Sequence, residues 1–184
     1  MNTKAVYRAA QAFLGLGLRT LRFNFRGVGC STGTFDDGIG EEEDVRVAVD
    51  WLELGGVREM PMVVGGLSFG SMVGLGVGIQ DPRVDALVAL GTPIHVYDYS
   101  YLAGTEKPVL VIQGEHDEFG SAAEVEDVLR PLGDHITVKG IPGSGHLFEG
   151  HFSEMQAAIT EFFLEGYGRK VLTKTISEIS EAVP

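Results

Sequence analysis

The chain has 184 residues, 44% of them hydrophobic and 22% charged, with 14 Lys+Arg against 26 Asp+Glu for a net charge of −12. This is the size and make-up of one globular domain with its own core, which excludes a disordered, collagen-like or coiled-coil chain. The acidic excess argues against a nucleic acid or an anionic membrane as partner, and the one cysteine allows neither an internal disulfide nor a zinc-spaced cluster.

Lys4 and Arg8 lead into an apolar stretch over residues 9–18 that could pass for a signal peptide, but Gln11 interrupts it and no small-residue cleavage site follows before Arg19. An amphipathic helix is expected instead, and a cytoplasmic location with it. Val6, Ala9, Ala10, Phe13 and Leu14 recur at helical spacing, and Gly15 and Gly17 stop the helix. Residues 18–25 alternate, with Leu21, Phe23 and Phe25 on one face and Thr20, Arg22 and Asn24 on the other, which predicts a strand. A loop of Gly, Ser, Thr and Asp over residues 26–40 leads to a helix over 41–54, with Val45, Ala48, Val49 and Leu52 as its inner stripe and Gly55 and Gly56 at its end. A buried strand follows Pro61 over residues 62–67, and a glycine-rich helix over 68–80 stops at Asp81-Pro82.

Residues 84–90 form the next strand, and the connection 91–107 carries Tyr97, Tyr99 and Tyr101. Pro108 opens a strand over 109–113, a helix covers 122–132, a strand 135–139, a loop 141–146 and a helix 151–166. Leu172, Ile176 and Ile179 lie at helical spacing in the tail, so residues 1–166 read as one domain and 167–184 as a helical tail. No apolar run reaches the ~20 residues of a membrane helix. Helices alternating with short apolar strands predict an α/β fold, a mostly parallel sheet with helices on both faces. The chemistry of such a sheet lies beyond the carboxyl ends of its strands, here after Phe25, Leu67, Leu90, Gln113 and Lys139.

Gly66-Leu67-Ser68-Phe69-Gly70 sits at one of those ends, between a predicted strand and a predicted helix. This G-x-S-x-G pattern suits a nucleophile elbow, because a serine on so sharp a turn leaves no room for side chains two residues to either side. The amides that follow it open a helix whose positive end favours an oxyanion. A helix-capping serine in a glycine-rich turn is the plainer alternative. A catalytic serine needs a base and an orienting acid. Of five histidines, His146 follows the last strand on a glycine-rich loop, whereas His135 begins a strand and His151 lies in a helix. Asp117 follows the preceding strand, with Glu115 and Glu118 as rivals and a solvated acidic loop as the alternative. The order Ser68, Asp117, His146 is that of the α/β-hydrolases.

The sequence resembles the α/β-hydrolase superfamily over residues 6–164, and in particular its small, nearly lidless bacterial members, which are themselves similar to dienelactone hydrolases and dipeptidyl-peptidase-type acyl hydrolases. The resemblance is carried by Leu21-Arg22-Phe23-Asn24-Phe25-Arg26-Gly27-Val28-Gly29, Ser31-Thr32-Gly33, Phe35-Asp36, the stretch 38–44, Trp51-Leu52, the serine turn, Gly114 with Asp117, and Gly143 with His146. It implies Ser68 as nucleophile, Asp117 as acid, His146 as base and the Phe69 amide as an oxyanion donor, with Arg26 and Gly27 in a structural loop. The implied activity is a carboxylesterase-type serine hydrolase for small, short-chain esters, with no cofactor and no metal. A thioesterase or peptidase of the same fold, or a non-catalytic binding scaffold, are the alternatives. Leu67, Tyr97 and Tyr99 are expected at the acyl side of the site, where larger members insert a lid, with rim packing as the other role for the tyrosines. Cys30 and the acidic run 41–44 are read as a spectator thiol and a helix-dipole complement.

One departure from the family is the absence of further strands before the first helix. One of these would lie inside the sheet, between residues 18–25 and 62–67, and would lead into a second oxyanion amide. A truncated chain, a sheet that closes across the gap and a neighbouring chain that covers the exposed edges are the alternatives; the expectation is an N-terminally truncated fold with weak activity confined to activated esters, assembled as a homo-oligomer.

Overall fold

The computed structural model describes residues 3–54, 60–166 and 168–172. Helix α1 (Lys4–Gly15) and helix α2 (Ile39–Leu54) precede strand β1 (Val63–Leu67), helix α3 (Phe69–Gln80) and strand β2 (Ala86–Leu90). A 3-10 turn (Ser100–Gly104) leads to strand β3 (Val109–Gly114), helix α4 (Ala122–Leu129), a second 3-10 turn (Arg130–Leu132), strand β4 (Ile136–Ile141) and helix α5 (Phe152–Leu164). The four strands form one parallel sheet in the order β1-β2-β3-β4, so each crossover returns the chain to the adjacent position.

The central strands β2 and β3 are buried along their whole length, and their alternation divides the core. Ala86, Val88, Leu90, Leu110 and Ile112 face α1 and α5, where Ala5, Ala9, Met155, Ile159 and Phe163 meet them. Leu87, Ala89, Val109 and Val111 face α3 and α4, against Leu75, Val125 and Leu129. Helix α2 packs outside α3 through Val45 and Val49 against Val73 and Val77. These near-continuous apolar runs are what a strand covered on both faces requires.

Residues 18–25, expected as a strand, have no sheet partner among the described residues, and the backbone of residues 19–23 enters no hydrogen bond with any of them. An extended segment becomes a strand only when a neighbour about 4.8 Å away offers N–H and C=O groups in register. Here a groove lined by residues 18–22, by Val6, Ala9, Ala10 and Phe13 and by Val63, Gly65 and Gly66 intervenes. Residues 169–172 are helical, and the rest of the predicted terminal helix, like Gly55 and Gly56, lies outside the described residues. Among the described residues no helix is long and apolar enough to cross a membrane.

Candidate active site

Ser68 occupies the turn between β1 and α3 with φ 55° and ψ −123°, a conformation that costs a non-glycine residue about 1–3 kcal/mol. The surroundings hold it there. Its amide donates to the Leu90 carbonyl at 2.9 Å, tying the turn to the end of β2, and its carbonyl accepts from the Ser71 amide at 2.8 Å to start α3. Gly66 is required sterically, since a Cβ on it would run into the Gly70 carbonyl. The amides of Phe69 and Gly70 have no acceptor among the described residues, so two N–H groups stand free at the positive end of a helix beside the Ser68 side chain.

Two loops from neighbouring strands supply the other groups. The loop after β3 carries Asp117, and the loop after β4 carries His146, whose Nδ1 lies 2.8 Å from Asp117 Oδ2. The two side chains are 10% and 0% exposed, His146 and Asp117 respectively. A carboxylate oxygen can only accept, so Nδ1 carries the proton and Nε2 is left as the basic nitrogen. Asp117 is held from two further directions: Oδ1 accepts the Phe119 amide at 2.9 Å and Oδ2 accepts Gln113 Nε2 at 2.8 Å. The Phe119 ring meets the imidazole edge-on, with centroids 4.7 Å apart.

Ser68 and His146 converge on successive residues at the end of β2. Ser68 is bonded to Leu90, and a Cβ on Gly91 (φ 57°) would sit 3.0 Å from His146 Nδ1. No hydrogen bond joins the Ser68 hydroxyl to the imidazole, an arrangement common in unliganded sites, which tighten around substrate.

The other histidines lie elsewhere. His135 Nε2 is 3.0 Å from the Leu102 carbonyl, His151 precedes α5 near Glu154, and His95 and His116 are exposed beside Glu124 and Glu115. Of the rival acids, Glu115 accepts the Gly143 amide at 2.7 Å, and Glu118 is exposed. Leu67 is half-buried, and Tyr97 packs its ring 6.3 Å from that of Phe69. Tyr99 is only 2% exposed and lies in the core with its hydroxyl 3.1 Å from Ser71 Oγ, so it offers a ligand almost no surface. Burial pushes its phenol up to about 12. Arg26 closes its loop on α2 through Asp44, with Nη2 to Oδ1 at 2.8 Å, and Cys30 is exposed.

Gln113 and Phe119 lie outside the motifs that the sequence displays. A glutamine ending the otherwise apolar run Val109-Leu110-Val111-Ile112 is a signal for the first. Nothing in the sequence marks the second.

An uncharacterized protein of Rickettsia prowazekii is 35% identical over 172 residues, covering 89% of this chain and 72% of that relative's length. An alpha-beta serine hydrolase homologue from Coxiella burnetii superposes with a TM-score of 0.81 at 30% identity, over 88% of this chain and 76% of its own. A serine hydrolase without a lid from Xanthomonas campestris superposes with a TM-score of 0.80 at 31% identity, over 89% and 73%. With residues 1–159 matching the profile of the alpha/beta hydrolase domain, the chain belongs to that family.

Proposed function

We propose that the protein is a serine hydrolase of the carboxylesterase type, acting on small, short-chain esters. The observation that carries this reading is the buried Asp117–His146 pair, set beside a strained serine turn whose following amides are unpaired. Ser68 Oγ attacks the ester carbonyl while His146 Nε2 takes its proton, and Asp117 fixes the tautomer and offsets the positive charge that forms on the imidazole. The carbonyl oxygen, now an oxyanion, is met by the Phe69 amide, an interaction of a kind whose loss typically costs about 10²–10³ in turnover. Collapse expels the alcohol, which takes the proton from Nε2. Water, activated by the same nitrogen, then releases the acid from the acyl-enzyme.

Leu67 and Tyr97 flank the acyl side. The connection between β2 and β3 holds only a 3-10 turn, too little chain for a broad lid, which favours short or exposed esters over long-chain lipids.

A fluorophosphonate probe with p-nitrophenyl acetate and butyrate tests the proposal. The unsubstituted protein is expected to be labelled at Ser68 and to turn over both esters, and Ser68→Ala to lose labelling and about 10³-fold or more of the turnover. Equal hydrolysis by Ser68→Ala, or no labelling of Ser68, overturns it.

A further inference from the structure

Gln113 is a fully buried polar side chain at the carboxyl end of β3, and the hydrolysis proposed above assigns it no task. Its carboxamide spans the loops that follow β2 and β3. Oε1 accepts the Thr92 amide at 2.6 Å, while Nε2 donates to Asp117 Oδ2 at 2.8 Å and to the Gly120 carbonyl at 2.6 Å, with the Thr92 carbonyl at 3.4 Å. Chemistry settles which way round the amide sits. The Thr92 N–H can only donate, and the carboxylate and carbonyls can only accept, so one orientation gives the Thr92 N–H an acceptor and both Nε2 hydrogens the near acceptors on Asp117 and Gly120, and the flipped one satisfies none.

Asp117 Oδ2 therefore takes two donors, His146 Nδ1 and Gln113 Nε2, and Oδ1 takes the Phe119 amide. A carboxylate gripped at both oxygens cannot rotate about its Cβ–Cγ bond, and its plane decides where the imidazole points. The same carboxamide holds Thr92, two residues beyond the Leu90 carbonyl on which the Ser68 turn is fastened.

We propose that Gln113 is a positioning residue: its carboxamide sets the plane of the Asp117 carboxylate, and through it the direction of His146 Nε2 toward Ser68. The effect on rate rests on the esterase reading; the effect on the imidazole does not. A glutamine that merely stitched two loops together would cost stability when replaced and change nothing else. A positioning residue must also alter the hydrogen bond between His146 and Asp117.

Two substitutions separate these roles. Gln113→Met keeps the length and removes both halves of the amide. Gln113→Glu keeps the shape and the acceptor for the Thr92 N–H, but sets a second carboxyl against Asp117 Oδ2. The other titratable groups of that loop, Glu115, His116 and Glu118, are exposed.

The turnover-free measurement is the downfield proton NMR signal of the His146 Nδ1–H, identified by its loss in His146→Ala. It is expected to shift in both variants, or to vanish through faster exchange with water. Ester kinetics are expected to show kcat reduced by up to about 10²-fold with KM unchanged in Gln113→Met. In Gln113→Glu the buried carboxyl, raised by burial and by the neighbouring Asp117 carboxylate, shares a proton with it and disturbs the bond from His146, so kcat is expected to fall there too with KM unchanged. Either variant suffices if the other does not fold. A folded variant whose Nδ1–H signal stays in place, with its loss confined to the melting temperature, overturns the proposal. If the unsubstituted protein hydrolyses no ester, the esterase reading fails while the NMR signal still decides the role of Gln113.

Discussion

Gly66 and Gly76 are ten residues apart and bracket what a glycine can be for. At Gly66 a Cβ would collide with the backbone of Gly70 and Ser71, neither of which can yield without unwinding the start of α3. Gly66→Ala is expected to lower stability by about 1–3 kcal/mol, as overpacking does, and to abolish fluorophosphonate labelling even where the variant remains folded, because the turn must open to admit the methyl. Gly76 also lies in α3, but a Cβ there meets nothing within 4 Å. Gly76→Ala should stabilise the protein by up to about 1 kcal/mol through helix propensity, and leave labelling intact. Urea unfolding and labelling of the two variants together check whether the glycines of this segment act through the turn or only through composition.

The helices and central strands were legible in the sequence because their signals are local: helical spacing in α1 and α5, unbroken apolar runs in β2 and β3, and a capping box in which Ser121 and Glu124 satisfy one another at the start of α4. The Ser68 turn was legible for the same reason. What escaped depends on residues far apart along the chain. Residues 18–25 have a faultless strand alternation and no partner in the sheet, Tyr99 has a lid-like position and a core environment, and Gln113 reveals its contacts only once three strand ends have met.

The clamp at the far side of the sheet from the site is of this non-local kind. Arg83, before β2, reaches Asp81 at the end of α3 and both Asp50 and Glu53 of α2, at 2.6, 2.8 and 2.5 Å. Its hydrogen bond holds the Asp81 carboxyl below the usual range against the opposing effect of burial. A carboxylate depressed in the folded state contributes stability that is complete above its unfolded pKa of about 3.9 and is lost as pH falls through the lower folded value. Because the guanidinium is partly exposed, solvent screens the interaction and reduces its contribution. Arg83→Met should cost on the order of 1 kcal/mol at neutral pH, and the gap from the unsubstituted protein should narrow as pH falls from the unfolded carboxylate value of about 3.9 through the lower folded one. Urea midpoints across that range test it. A gap independent of pH would mean that the aliphatic stem of Arg83 matters more than its charge.

The assembled layers leave the two borders of the sheet unequal. At the β4 border, Lys139 projects from the strand and pairs with Glu161 of α5 at 2.7 Å, and charge of this kind discourages another strand from docking. The β1 border carries Val63, Val64, Gly65, Gly66 and Leu67 without a charged residue, and among the described residues it pairs with β2 alone. Across the apolar groove stands a second unpaired run, residues 19–23, with Leu21 and Phe23 37% and 40% exposed. Two facing rows of unpaired backbone groups, lined by apolar side chains with Arg19 and Arg22 beside them, attract a strand within reach, and in a solution of this protein alone the strands within reach belong to other copies. The net charge of −12 opposes close approach of copies, so association should strengthen as salt screens that repulsion. Light scattering is expected to show dimers or larger species at micromolar concentration, more of them at higher ionic strength. Leu21→Lys and Phe23→Lys should shift the population toward monomer while leaving the Ser68 labelling of folded protein unchanged. A monomer for the unsubstituted chain at every salt concentration would show that the groove closes on itself in solution.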